Sequence, residues 1–226
     1  MASASIDQKT QVAGDLRECM DIFDESDVSE YSVAGLDALA QGIIRGWSLV
    51  HVGNHSEKGL QQPILRRELS IPSITPTKLL NKYSIKMFNE LLYQSQVIRQ
   101  KSKKVSYESY FFPLDGLTNW NLIYGSGGFI QYQFVVPMDS SLEAITIILK
   151  KISDAGKAPA LSVLKKFVRG NDNYLSFPEA GYTLAMDFKR DATLLPLLDE
   201  LDEIVLSYCL LYTSDAADEE DSVDLG

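Results

Sequence analysis

The chain has 226 residues, 45% of them hydrophobic, which suits one globular domain with at most a small appendage. No stretch nears the roughly 18 apolar residues of a membrane span, and the start, MASASIDQKTQVAGDLREC, lacks the apolar centre of a secretory signal. The net charge of −10 is unevenly placed: residues 1–190 hold 21 basic and 20 acidic groups, and the remainder carries eleven acids with no Lys or Arg, so neither part is built for nucleic acid.

In chain order, residues 1–28 are polar and acidic, with a short helical pattern at Leu16, Met20, Ile22 and Phe23. Strands are predicted at Glu30–Ala34 and Trp47–Val52. Residues 53–76 hold three prolines and read as a long loop. Thr75-Pro76 is a helix start, and the helix is expected to reach Gln96 with Leu79, Leu80, Tyr83, Met87, Leu91 and Leu92 on its buried side. The basic run Arg99, Lys101, Lys103, Lys104 reads as a solvated helix end, with an anion site as the alternative. Val105–Phe112 is strand-like, Pro113–Asn121 a turn with a short helix, and Phe129–Val136 an alternating strand. Ser140 and Glu143 have the spacing of a capping box for the next helix. Strands at Leu161–Val168 and Tyr182–Phe188 flank a loop over 170–180, and a last helix is expected over Ala192–Tyr208. The fold class is α+β: an antiparallel sheet with helices on one face, and an incomplete ferredoxin-like β-α-β-β-α unit in the C-terminal half.

Residues 209–226 lack the alternation of the missing strand and end in acids. Within them CLLYTSDAADE is similar to the conceptual translation of a transposase adapter used in shotgun sequencing. The tail is therefore expected to be disordered and adapter-derived, with the native sequence cut near Tyr208. A genuine disordered acidic tail is the alternative.

The stretch YGSGGFIQYQFVVP sets the functional question. Dinucleotide and phosphate loops run strand, glycine turn, helix, because the helix N-terminus supplies the amide donors. Here Gly125, Gly127 and Gly128 precede a strand instead, which speaks for a turn. That strand turns Ile130, Tyr132, Phe134 and Val136 to one side and Phe129, Gln131, Gln133 and Val135 to the other. The paired glutamines, neutral with both donor and acceptor, suit a polyhydroxylated or heterocyclic ligand; a solvated sheet face is the other reading. Lys165 joins that face if its strand is so turned, but Lys166 beside it leaves the choice open. His51 and His55 are the sole histidines, with no carboxylate or Cys at metal spacing, and read as structural or surface residues; no metal is expected. Cys19 and Cys209 make no disulfide framework, so the expected setting is cytoplasmic.

LLNKYSIKMFNELLY, YFFPLDGLTNWNLIYGSGGFIQYQFVVP and LSFPEAGYTLAMDF together resemble the FAD-linked oxidases of the vanillyl-alcohol oxidase superfamily, most nearly the decaprenylphosphoryl-ribose oxidase group. The resemblance covers most of residues 14–208 and implies that 1–208 is a substrate-binding (cap) domain whose open sheet face covers a flavin held mainly by an absent FAD-binding domain. It implies an FAD-dependent oxidoreductase that removes hydride from a sugar-type secondary alcohol, with a polyprenyl-phospho-sugar as candidate substrate and peripheral membrane association through it. Substrate-binding positions carried over are Gln131, Gln133, Lys165, Phe167, Asn121 and Thr183, with Gln133 also against the cofactor. Thr183 and Ala185 stand where mycobacterial members have Asn and Cys, and Phe111 stands for a pocket tyrosine. The resemblance names no general base. A free-standing ferredoxin-like ligand-binding or regulatory module without catalysis is the alternative.

Overall fold

Two strongly alternating strands set the frame. β7 (Phe129–Pro137) and β9 (Gly181–Lys189) pair antiparallel along their whole length, from Phe129 opposite Lys189 to Pro137 opposite Gly181. Period-two side chains then gather Tyr132, Phe134, Val136, Tyr182, Leu184, Met186 and Phe188 on one side, each 3% exposed or less. The structure, a computed structural model, describes residues 4–42, 45–57, 69–70, 81–97, 102–125, 127–168, 180–208 and 212–215.

Around that pair are β1 (Ser5–Ala13), β2 (Tyr31–Leu36), β3 (Ser48–His55), β5 (Ser102–Ser106), β8 (Leu161–Phe167) and β10 (Tyr212–Asp215), in the order β10-β7-β9-β8-β2-β3-β1-β5. Every neighbouring pair in this sheet is antiparallel. β4 (Leu69–Ser70) and β6 (Leu117–Thr118) form a separate parallel pair.

Three helices cover one side: α1 (Leu16–Glu25), α4 (Met138–Asp154) and α5 (Leu194–Tyr208). Ile145, Ile148, Leu149 and Ile152 of α4, at helical spacing, are fully buried. They meet Leu194, Leu201 and Val205 of α5 and the inward residues of the strands in one core. Tyr132 sends its ring into that core and its hydroxyl out to Asp202 Oδ1, 2.9 Å away, so its polar end is satisfied.

Several expectations are corrected. Residues 5–13 are a strand, hidden in the sequence because Asp7, Lys9 and Gln11 make the second face as polar as Gln8 and Thr10. The capping pair sits at Asp15 and Glu18, where Asp15 accepts from Glu18 N (2.8 Å) and Glu18 from Gly14 N (2.6 Å). No such box forms at Ser140, because β7 passes straight into α4 at Pro137, three residues earlier. Of the predicted strand Val105–Phe112 only Val105 and Ser106 are extended, at the end of β5; Tyr107–Phe111 is a helix, α3, capped by Ser106. The helix start at Thr75-Pro76 lies outside the described residues, and so does most of the expected 53–76 loop; the described α2 is Lys82–Val97. α2 leaves Tyr83, Met87 and Leu91 exposed at 74%, 64% and 63% and turns Ile85, Leu92 and Tyr93 inward. Two overlapping stripes were available, and the one that meets the sheet is the buried one. Residues 212–215 of the tail, expected to be structureless, pair with β7, whose outer edge offers unpaired backbone groups to any extended segment. Gly125 and Gly128 take positive φ (76° and 68°) in the turn before β7, the role their position predicted.

Gly181 has no room for a side chain: a Cβ there would lie 2.1 Å from the Val136 carbonyl oxygen. Gly181→Ala is expected to destabilise the fold by about 3 kcal/mol, the upper end of overpacking costs. A urea midpoint close to that of the parent chain would refute the tight β7–β9 approach.

Candidate functional site

Among the described residues, no helix lies over the middle of the other side of the sheet. Alternation and register place Gln131, Gln133, Val135 (β7), Thr183, Ala185, Asp187 (β9), Val163, Lys165, Phe167 (β8), Val33, Gly35 (β2), Leu49, His51 (β3) and Gln8, Thr10, Val12 (β1) there. α2 and α3 stand at its rims, which corrects the expectation of helices on one side only. At one rim Tyr93 of α2 meets Trp47 edge-on at 4.8 Å, beside Leu49 and Val12. Asp37 fixes Trp47 by accepting its indole N–H at 2.9 Å. At the other rim Tyr110 of α3 lies so close to Gly53 that an added Cβ would come within 2.9 Å of its ring. Its hydroxyl lies 3.1 Å from the His51 carbonyl oxygen and 3.2 Å from that of Tyr31. Between the rims the floor is low: Gly35 is exposed, and a Cβ added there would touch nothing within 4 Å.

Gln131, Gln133, Lys165, Phe167 and Thr183 of the predicted residues share this face. Gln131 donates to Asp187 Oδ1 at 2.9 Å, and Gln133 to the Thr183 hydroxyl at 3.1 Å. Each amide is thus held by β9 with its carbonyl oxygen left for something else, because Nε2 is the atom engaged in both bonds. Lys165 lies opposite Thr183 and is exposed, and Phe167, half-buried, lies opposite Gly181. The choice between the lysines is settled by Lys166, which turns to the helix side and is held by Asp24 at 2.8 Å and Asp27 at 2.7 Å. Asn121 is in the 3-10 turn Trp120–Tyr124, whose rings at Trp120 and Tyr124 pack on Phe129 at 5.3 and 4.6 Å, next to Gln131 along β7. Ala185, in the departure from Cys, is half-buried opposite Gln133 and Val163.

Sequence reasoning passed over a second cluster on the same face. His51 Nδ1 lies 2.8 Å from Gln8 Nε2 and 2.9 Å from Thr10 Oγ1, while Gln8 Nε2 also donates to Thr10 Oγ1 at 3.2 Å. Burial, with the nearby Lys103 ammonium, lowers the His51 pKa to about 4, so the ring is neutral at physiological pH. The available signal was the alternation Gln8, Thr10 in β1, which only the strand assignment makes visible.

Asp187 is 2% exposed, and burial raises its pKa above the ordinary carboxylate range, against the opposing bond from Gln131. Among the described residues no cluster of three or more His, Cys, Asp or Glu is placed to hold a metal, and no helix is long and apolar enough to cross a membrane.

Comparison with known proteins adds the following. Over 188 residues the chain is 34% identical to decaprenylphosphoryl-beta-D-ribose oxidase of Mycolicibacterium smegmatis, covering 79% of this chain and 40% of that protein. It is 26% identical over 212 residues to an uncharacterized protein in the mprA 5' region of Streptomyces coelicolor, covering 85% of this chain and 56% of the other. The chain thus spans about half, or less, of these relatives' length. Among solved structures it is similar to two single-residue variants of berberine bridge enzyme, one without a named ligand (TM-score 0.47, 12% identity) and one in complex with (S)-reticuline (TM-score 0.41, 12% identity). These matches cover 90% of this chain and 41% and 40% of the others. No family model matches the chain.

The buried Asp187 predicts a pH dependence. Its native pKa is raised, so the folded chain binds this proton more tightly than the unfolded chain does. Its contribution is therefore most favourable below the unfolded Asp value of about 3.9 and is lost as pH rises through the native value. Urea unfolding of the parent chain and Asp187→Asn between pH 4 and 7 is expected to show the variant gaining on the parent as pH rises. A parent that gains on the variant instead would mean the carboxylate is stabilised, not strained, by its site.

Proposed function

By sequence the chain belongs with the FAD-linked oxidases of the decaprenylphosphoryl-ribose oxidase type, and on that premise we propose that it is the substrate-binding part of an FAD-dependent oxidoreductase that oxidises a sugar-type secondary alcohol. The observation that carries the reading is the uncovered sheet face, flat at Gly35 and Ala185, with two neutral amides held in place by β9. Such a surface fits a flat heterocycle: the amides offer uncharged hydrogen-bonding atoms, and the small residues let the ring approach the backbone. The strand order β10-β7-β9-β8 supports reading the C-terminal half as a ferredoxin-like unit.

In this reading the FAD is held mainly by a domain outside this chain, since no described strand-glycine turn-helix element here offers a pyrophosphate site. Gln133 would hold the cofactor ring from the sheet side. When bound, FAD supplies the hydride acceptor, N5 of its ring, and that is the hard chemistry. The rest falls to this chain. Gln131 and Gln133 orient the alcohol through fixed amides, and the Thr183 hydroxyl fixes the rotamer of Gln133. Lys165, with no ion-pair partner among the described residues, brings a positive charge to the substrate oxygens, while Phe167 closes the Pro137 end of the face and the Trp120–Tyr124 turn the Phe129 end. The alcohol belongs to a polyprenyl-phospho-sugar, whose lipid would bring the protein to a membrane surface.

Two outcomes test this. The 226-residue chain purified alone is expected to be colourless, and a stoichiometric flavin absorption band would show that it holds the cofactor unaided. In a flavin-bearing parent, Gln133→Ala is expected to lower kcat/KM by about tenfold or more while shifting Tm by less than about 2 °C. Equal losses of turnover and stability would make the residue structural.

A further inference from the structure

We propose that the open face carries a phosphate site made by His51 and Lys165 on either side of Val33. It rests on the reading above, that the face receives a phosphorylated substrate, and it assigns the place of the anion.

Register brings the two residues into one row. Lys165 lies opposite Thr183, and Val33 opposite His51, which in turn lies opposite Thr10. Ala34 lies opposite Leu164, so the antiparallel register sets Val33 beside Lys165. Lys165 and His51 are therefore two strand spacings apart, about 10 Å between backbones. The imidazole is held toward β1 by Gln8 and Thr10, so the long lysine stem has to span that gap over the half-buried Val33.

The hydrogen bonds decide what His51 presents. An amide nitrogen only donates, so Gln8 Nε2, 2.8 Å from Nδ1, makes Nδ1 an acceptor. Thr10 accepts from Gln8 and gives its own proton to Nδ1 at 2.9 Å. The ring proton is then on Nε2, which makes no hydrogen bond among the described residues and is not a buried orphan. It is a fixed N–H donor on the open face. Charge comes from Lys165 and from Lys103, which lies opposite Gln8 and acts on the ring electrostatically. Asp187, the carboxylate at the Gln131 end, is four residues from Lys165 along the strand (Leu161 is its partner), about 13 Å away. Two ammonium groups with a neutral donor between them, clear of acids along these strands, match a phosphate group. Lys165 also faces Thr183, whose hydroxyl accepts from Gln133, so a sugar attached to that phosphate reaches the paired amides.

The test is an NMR titration of the full 226-residue chain labelled with 15N-histidine, with inorganic phosphate, ribose 5-phosphate and phosphatidylglycerol vesicles as probes. The His51 Nε2 resonance is expected to shift saturably with inorganic phosphate while that of His55 stays put. Lys165→Met, at an exposed position, and His51→Asn are each expected to weaken phosphate binding about tenfold. Asn keeps an acceptor for Gln8 and Thr10 but lacks the outer donor; His51→Gln, which restores a donor farther out, is expected to recover part of the loss. Tighter binding of ribose 5-phosphate than of inorganic phosphate supports a sugar phosphate, whereas binding of vesicles alone overturns that assignment in favour of a lipid surface. An unmoved His51 resonance, or wild-type affinity in both variants, overturns the site. Since binding by the chain alone is the readout, failure here leaves the flavin reading standing, and loss of that reading leaves this result intact.

Discussion

Everything in this fold follows from unequal cover. An antiparallel sheet has two faces, and α1, α4 and α5 pack on one of them. That side follows ordinary core rules: aliphatic and aromatic side chains at near-zero exposure, with the few polar tips, such as the Tyr132 hydroxyl, led to a partner. The opposite side carries amides, hydroxyls, an imidazole and a lysine in the same strands, one residue out of phase. A single-residue slip in register would exchange the two sets, so the deep core fixes the open face as firmly as it fixes itself.

The polar groups on that face are already tied before any ligand arrives. Gln131 is held by Asp187 and Gln133 by Thr183, while His51 is held by Gln8 and Thr10. Each bond crosses from one strand to its neighbour, so the side chains are positioned by the ladder itself and little rotamer freedom remains to be lost on binding. The rims are fixed by the same economy of contacts. Asp37 holds Trp47, which holds Tyr93 of α2, and Gly53 makes room for Tyr110 of α3.

The sequence disclosed those parts in which one face of an element is much more apolar than the other. β7 and β9 show such contrast, as do α4 and α5, and most of their predicted inward residues are buried, with Leu142 and Ile204 only partly so. β1 shows none, because both its faces are polar, and so the cluster around His51 was invisible with it. α2 has apolar residues over much of its circumference, which left its inward side undetermined until Trp47 and Leu49 were placed. Of the candidate site, Gln131 and Gln133 could be read from alternation alone. Lys165 could not, since Lys166 offered the same side chain to the other face. Their partners Asp187 and Thr183 needed the cross-strand register, which no local pattern contains.

The two lysines at the end of β8 stand one peptide bond apart and belong to different parts of the molecule. Lys166 clamps the sheet to the end of α1 through Asp24 and Asp27, while Lys165 stands on the open face. If Lys165 meets a ligand as proposed, adjacent codons answer to separate selection: drift at 166 is limited by whether the chain folds, and drift at 165 by what the chain recognises. A lineage could change its ligand at one without disturbing the other, so divergence between relatives at this dipeptide is expected to be lopsided.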